Sequence, residues 1–520
     1  MRERVRVWAP AAAQVDLETG GRRTAMVKQN GGWWEAREPL ADAADYAFCL
    51  NGGPPRPDPC SRWQPHGIHG ASRRFDAQSY AWRDRGWQPP PWHDAVVYEL
   101  HIGTFSDEGT FEGAIQHLDH LTDLGITHVE LMPVAEFPGR RGWGYDGVDL
   151  YAPHHAYGGP GGLQRFVDAC HARGLAVIFD VVYNHLGPVG NYLAQFGPYF
   201  TDRCHTPWGA AVNLDGPGSD EVRAFFMDNA RSWLRDFHAD GLRLDAVHAL
   251  LDRSATPFLL DLARAVRELE GELRRPLVVI TESDSNDSRL TAPEPVNGIG
   301  LTASWNEDFH HAVHARLTGE HFGYFQDFAN PETLPTVLRR GYWLDGRHSN
   351  FRRCRHGRPA DPAHGERLVA YVQNHDQVGN RAGGERLGAL VPEREAKLAA
   401  ELLLRSPFVP LLFQGEEWGA STPFLYFTDF DEPELARTVR EGRARECVAM
   451  GWPGACFDPQ DSATFERSRL RWDEIEKPQH AATLAWYREQ IHARRARAPV
   501  NHDLGSARAR QLWEPLLDRG

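Results

Sequence analysis

Along the first 93 positions, apolar and polar residues alternate in short runs, as at Val5, Val7, Val15 and Leu17. The runs are broken by clusters such as Asn30-Gly31-Gly32 and Asn51-Gly52-Gly53-Pro54-Pro55. Alternation of period two, punctuated by glycine, asparagine and proline, predicts short strands joined by tight turns. Residues 1–93 therefore read as a small β-sandwich. The run Gln88-Pro89-Pro90-Pro91 ends it as a stiff linker, because proline fixes φ and withholds a backbone donor.

Beyond the linker the period changes. Near-continuous apolar runs predict eight strands: VVYELH (from Val96), THVELM (from Thr127), LAVIFDVV (from Leu175), GLRLDAV (from Gly241), LVVITE (from Leu277), the weaker GIGLTA (Gly298 to Ala303), LVAYVQ (from Leu368) and VPLLF (from Val409). Between most of them apolar residues recur at helical spacing, as at Ile115, Leu118, Leu121 and Leu124, and from Val222 through Phe226 and Trp233 to Phe237. Strands apolar on both faces, alternating with helices, predict an α/β fold: a (β/α)8 TIM barrel over residues 94–496. Long excursions follow its second strand (Pro133 to Pro160) and its third (Asn184 to Gly218), and their many aromatics predict the walls of a cleft. The last predicted helix runs from Gln479 to Ala496. Residues 497–520, rich in arginine, read as a solvated or frayed tail.

Composition narrows the partners. With 41% hydrophobic residues and 17 Trp the chain is not disordered, and its net charge of −14 disfavours nucleic acid or an anionic membrane as the main partner. A neutral ligand fits better. Seven Cys without a CxxC pair predict buried or incidental thiols rather than a disulfide framework or a zinc knuckle. The N-terminus lacks an apolar signal core, and no apolar run reaches membrane-spanning length, so a cytoplasmic location is expected.

Four of the strands end in acids: DVVYNH (Asp180 to His185), GLRLDAVH (Gly241 to His248), VVITE (Val278 to Glu282) and YVQNHD (Tyr371 to Asp376). An ionised carboxylate beside a buried strand is costly unless paired or used, and in a parallel barrel the carboxyl ends of the strands form the active face. Alternation places Arg243 and Asp245 on one face of their strand, where the cation would keep Asp245 ionised, as a nucleophile requires. Glu282 ends an apolar strand, where desolvation would raise its pKa and suit it to general acid work. Two carboxyls tuned in opposite directions meet the requirement for glycosidic cleavage. Asp376 is a third carboxyl able to hold sugar hydroxyls, and Asp180, earlier in its strand, reads as support. His185, His248 and His375 are candidate sugar contacts, and Tyr145, in Gly142-Trp143-Gly144-Tyr145-Asp146, offers an aromatic face. No HExxH, EF-hand, P-loop or GxGxxG motif occurs, so no cofactor or metal is expected. Asp146 with Asp149, or Asn184 with Asp215, are the acidic groups nearest to a calcium set, though their spacing requires none.

In this order, the four motifs resemble the signature regions of the α-amylase family of glycoside hydrolases, across Val96 to Phe430. The resemblance implies a retaining mechanism with Asp245 as nucleophile, Glu282 as general acid/base and Asp376 as transition-state stabiliser. It also implies that Tyr145, His185, Arg243 and His375 line the subsite of the cleaved sugar. ESDSNDSRL (from Glu282), WNEDFHHAVH (from Trp305), YVQNHDQVGNR (from Tyr371) and PLLFQGEEWGASTPFLYFTDF (from Pro410) resemble a trehalose-releasing branch of that family, as FCLNGGPPRPDPCSRWQPHGIHGAS resembles its leading immunoglobulin-like domain. That branch implies cleavage of the α-1,4 bond beside the terminal trehalose of a maltooligosyltrehalose, a substrate made by a partner synthase. It also implies a C-terminal β domain, for which the residues after Ala496 show no pattern; the expectation is an uncovered barrel face. A glycogen branching enzyme shares the same trio and is the alternative. A noncatalytic glucan-binding protein is disfavoured by retention of all three carboxylates with Arg243.

Overall fold

A computed structural model of the chain describes residues 4–452, 456–498 and 500–518. Near the N-terminus, strands Arg6–Trp8, Trp33–Glu35 and Val27–Lys28 form one antiparallel sheet, and Val15–Thr19, Arg22–Ala25, Asp45–Leu50, Pro55–Arg56 and Ser72–Arg73 form a second. Val7, Trp8, Trp34, Val15, Leu17 and Phe48 bury their side chains in the main core. Aromatic contacts seat this region on the barrel: Trp82 stacks on His238 at 3.8 Å, Phe75 on Phe237 at 6.3 Å, and Trp8 meets Tyr199 edge-on.

The barrel is closed by eight parallel strands: β1 (Val97–Leu100), β2 (His128–Leu131), β3 (Ala176–Val181), β4 (Gly241–Leu244), β5 (Val278–Thr281), β6 (Ala303–Trp305), β7 (Leu368–Tyr371) and β8 (Val409–Phe413). Strand alternation divides the apolar residues into two sets. Val97, Ile178, Ile280, Trp305, Tyr371 and Leu411 fill the lumen, while Leu100, Leu131, Phe179, Leu242, Leu244 and Val279 join the core beneath the outer helices. The inner face also carries ionisable groups: Glu99 on β1 pairs in register with Glu130 on β2, and Asp180 on β3 with Arg243 on β4.

Three expectations need correction. The sixth strand is Ala303–Trp305, five residues later than GIGLTA begins, because Asn297 and Gly300 take left-handed φ values of 65° and 78° that interrupt an extended run. The C-terminal stretch is not a frayed tail: Ala507–Leu517 is a helix with Trp513 and Leu516 buried. Just before it, Arg494 is buried in helix Pro478–Arg495 and donates to the carbonyls of Leu404, Ser406 and Phe408. Finally, Cys447 and Cys456 are joined in a disulfide, whereas Cys49, Cys60, Cys170, Cys204 and Cys354 are free thiols.

Both long excursions are ordered. The first folds its ends into an antiparallel pair, Ala135–Glu136 with Asp149–Pro153. The second contains the hairpin Phe200–Thr206 with Gly209–Val212, whose tip carries Trp208.

Candidate active site

Three of the four acid-ended strands bring a carboxyl to Arg243. Its buried guanidinium is the organising charge: Nη1 donates to both oxygens of Asp180 (2.9 and 2.8 Å) and to Oδ1 of Asp245 (2.8 Å), and Nη2 lies 3.6 Å from Oε2 of Glu282. The cation also sits 4.2 Å above the ring of Trp305. A buried cation is tolerable only when paired and hydrogen-bonded, and here three carboxyls from β3, the end of β4 and the end of β5 surround it. The same-face placement of Arg243 and Asp245 is thus observed. The second oxygen of Asp245 accepts from Nδ2 of Asn184 at 2.7 Å.

Glu282 sits directly after β5 and accepts a hydrogen bond from the backbone amide of Ala246. Burial pushes its pKa up to about 8, with Arg243 opposing and the charges of Asp245 and Asp376 reinforcing the rise. The carboxyl is therefore protonated at neutral pH, the state of an acid. Asp376 lies in the first turn of helix His375–Gly379, where its Oδ1 accepts from Nδ2 of Asn380. Burial raises its pKa against the opposing charges of His375 and Arg243.

Tyr145 bridges the two sides of the rim. Its hydroxyl donates to Oδ2 of Asp180 at 2.7 Å and lies 2.8 Å from Nε2 of His375, and its ring stacks on the imidazole at 5.2 Å. On the other side of that ring, Nδ1 of His375 is 2.5 Å from Oε1 of Glu99, and the His375 amide donates to Oε2. Burial would lower the pKa of His375, but the charge and hydrogen bond of Glu99 outweigh it and raise the pKa. The pair with Glu99 thus favours the protonated ring. His185 contacts the Tyr145 carbonyl through Nε2 (3.0 Å) and lies flat against the half-exposed Trp208 at 4.7 Å.

His248 stands apart from this bonded cluster. It is exposed on the turn Val247–Ala249, its Nδ1 3.7 Å from Oδ1 of Asp284 at the outer rim. Of the two calcium-like sets, Asn184 with Asp215 is committed elsewhere: Asn184 serves Asp245, and Asp215 pairs with Arg203.

Three participants lie outside the four acid-ended motifs. Glu99, in VVYELH, carries the same signal as the acid-ended strands, an acid inside an apolar run. Trp208 lies at a hairpin tip that no local pattern connects to His185. Glu307, in the first turn of helix Glu307–Thr318 after β6, is pushed toward its neutral form by burial and by Glu282 and Asp376. The glycines ahead of β6 obscure the strand end that would point to it.

A closed parallel barrel with this set of acids at its carboxyl rim is the construction of α-amylase-type glycoside hydrolases, and the model of the alpha-amylase catalytic domain matches residues 74–198. Within that class the chain belongs to the malto-oligosyltrehalose trehalohydrolase family. The Arthrobacter ramosus malto-oligosyltrehalose trehalohydrolase is 53% identical over 502 residues, spanning 95% of this chain and 87% of the relative. A crystallised Salmonella typhimurium protein assigned as an alpha amylase superposes with a TM-score of 0.91 at 41% identity, covering 96% of this chain and 85% of its own. The match to a 1,4-alpha-glucan branching enzyme of Xanthomonas campestris is more distant, 30% identical over 59% of this chain and 48% of the relative.

Proposed function

We propose that the protein hydrolyses the α-1,4-glucosidic bond adjacent to the terminal trehalose of maltooligosyltrehaloses, releasing trehalose and a maltooligosaccharide with retention of configuration. The observation that carries the chemistry is the sharing of one buried cation by two carboxyls in opposite settings: Arg243 bonds Asp245 directly, whereas Glu282 lies 3.6 Å from it with its pKa pushed up to about 8. In this reading Asp245 attacks the anomeric carbon while Glu282 gives its proton to the departing trehalose oxygen. A water then attacks the anomeric carbon as Glu282 takes its proton, and the bond from that carbon to Asp245 breaks to free the sugar. Asp376 and the His375 ring hold hydroxyls of the distorted sugar, and Tyr145 and His185 line the same subsite.

The trehalose specificity is supported by the 53% identity to the Arthrobacter ramosus enzyme over nearly the whole chain. A synthase acting on starch-type chains would supply the substrate, and the cytoplasm would be the site of both reactions. No described helix is long and apolar enough to cross a membrane. Residues 1–93 serve in this proposal as a carbohydrate-binding-like β-sandwich and 94–496 as the catalytic unit.

Purified protein incubated with maltotriosyltrehalose should give trehalose and maltotriose, the latter first appearing as its α anomer by NMR. Glu282→Gln should lower turnover on the order of 10²- to 10⁴-fold, and Asp245→Ala should abolish it while the far-UV spectrum is kept. Formation of branched glucan from amylose, without trehalose release, would instead indicate a transferase.

A further inference from the structure

A second cluster of ligating groups lies at the base of the first excursion, outside the carboxyl rim. We propose that Glu136, His154 and His155 form a binding site for a borderline divalent metal ion, of zinc type, that pins this excursion.

The hairpin brings the three together. Ala135–Glu136 runs antiparallel to Asp149–Pro153, with Ala135 opposite Pro153, so the strand ends deliver His154 and His155 beside Glu136. Glu136 and His154 are fully buried, and His155 is a quarter exposed at its side chain. One carboxylate oxygen, Oε1 of Glu136, lies 2.6 Å from Nδ1 of His155 and 3.3 Å from Nδ1 of His154. The three ligand atoms are mutually within 4.8 Å. Around a tetrahedral ion with bonds of about 2.1 Å, neighbouring ligand atoms stand about 3.4 Å apart. The His154 nitrogen already meets that spacing.

The independent observation is the state of His154. Although the ring is completely buried, its Nε2 has no hydrogen-bond partner and its Nδ1 meets only Oε1 of Glu136, at 3.3 Å and without hydrogen-bond alignment. An imidazole with one nitrogen bare and the other poorly aligned recovers little of the desolvation that burial costs it. Packing accounts for the faces of the ring, which stacks on Phe137 at 3.8 Å and meets Tyr157 edge-on, but not for its nitrogens. A metal between Nδ1 and Oε1 of Glu136 replaces that misaligned contact with a ligand bond to each. Directly opposite Glu136 in the hairpin, Oδ2 of Asp149 is also buried without a partner, so the site has more acceptor capacity than its protons fill. Two imidazoles and a carboxylate favour zinc, cobalt or nickel over calcium or magnesium.

The position gives the site a task. Phe137, stacked on His154, packs against Gly142, which opens the turn Gly142-Trp143-Gly144 leading directly into Tyr145 of the active site. His155 faces Gly67 of the N-terminal region. An ion here would fix the root of the loop that presents Tyr145.

The test is metal binding itself. Protein stripped with EDTA and titrated with Co²⁺ should develop the d–d absorption of a low-coordinate site at one equivalent, and Zn²⁺ should bleach it and raise the melting temperature. His155→Gln, at the least buried ligand, should weaken Zn²⁺ binding on the order of a hundredfold or more, since even indirect contacts to a metal contribute 10- to 100-fold. Anomalous diffraction at the zinc edge from the native protein should place the ion between the three side chains. Absence of stoichiometric Co²⁺ absorption, equal Zn²⁺ affinity in folded His155→Gln, or an anomalous peak elsewhere would each overturn the proposal, leaving the cluster a hydrogen-bonded Glu136–His155 pair with His154 merely packed beside it.

Discussion

The amide of Ala246 donates to Oε2 of Glu282, so the residue following Asp245 holds the carboxyl at the end of the neighbouring strand. To aim that amide, Ala246 takes φ 40° and ψ 52°, a left-handed conformation that costs an L-residue about 1–2 kcal/mol. Glycine relieves this strain but loses more entropy on folding, so Ala246→Gly should stay within about 1 kcal/mol of the native stability. Ala246→Val, β-branched at positive φ, should lose about 1–3 kcal/mol and lower turnover through a displaced Glu282. Urea midpoints at unchanged slope distinguish the two; equal tolerance of Gly and Val would remove the argument for strain.

The raised pKa of Glu282 fixes the sign of two pH effects. Its folded value of about 8 lies above the ordinary 4.5, so the folded protein binds this proton more tightly than the unfolded chain. The associated stability is fully present below about pH 4.5 and is lost as pH rises through about 8. Glu282→Gln should therefore raise the melting temperature more at pH 8 than at pH 5. For the native enzyme, kcat/KM should fall on the alkaline side as Glu282 deprotonates near pH 8. An alkaline limb that survives in the residual activity of Glu282→Gln would assign it to another group.

Removing the central cation should expose how much repulsion it suppresses. Arg243→Met leaves Asp180 buried beside Asp245 without a counterion, a change of the kind that costs about 3–5 kcal/mol. Asp180 has its own pKa raised to about 6, chiefly by burial. At pH 5 it can take up a proton, and the loss should shrink. A denaturation series at pH 5 and 7 that showed equal losses would place the cost in packing against Trp305 instead.

The C-terminal helix offers a direct stability test. Trp513 on its inner face is completely buried, with the Arg339 guanidinium 5.9 Å from its ring. Trp513→Ala should destabilise the protein by about 3–5 kcal/mol, measured by chemical denaturation. A change below about 1 kcal/mol, small for a buried aromatic, would restore the picture of a loosely attached tail.

These outcomes also mark how far the sequence could be read. Arg243 and Asp245 were legible because strand alternation is a local rule, and Glu282 because an acid closing the apolar run VVIT is out of place in a core unless it is put to use. Ala303–Trp305 was not, since a three-residue strand preceded by Gly298 and Gly300 has too short a run to announce itself. The helix Ala507–Leu517 hid behind arginines and Pro515, its apolar stripe reduced to a few residues such as Trp513 and Leu516. The grip of Glu99 on His375 joins residues 276 positions apart, and no local pattern encodes such a pair.

That last contact has a consequence for the life of the chain. β1 bonds to both β2 and β8, so the first strand must wait for the last before the ring is joined. A nascent chain that has emerged only through β5 already carries Asp180, Arg243, Asp245 and Glu282, yet Glu99 has no imidazole to hold and Tyr145 no ring to lie against. The acids gathered by β3, β4 and β5 therefore acquire their imidazole and their third carboxyl only once the segment after β7 has been made, and the ring that holds them all closes only when β8 meets β1.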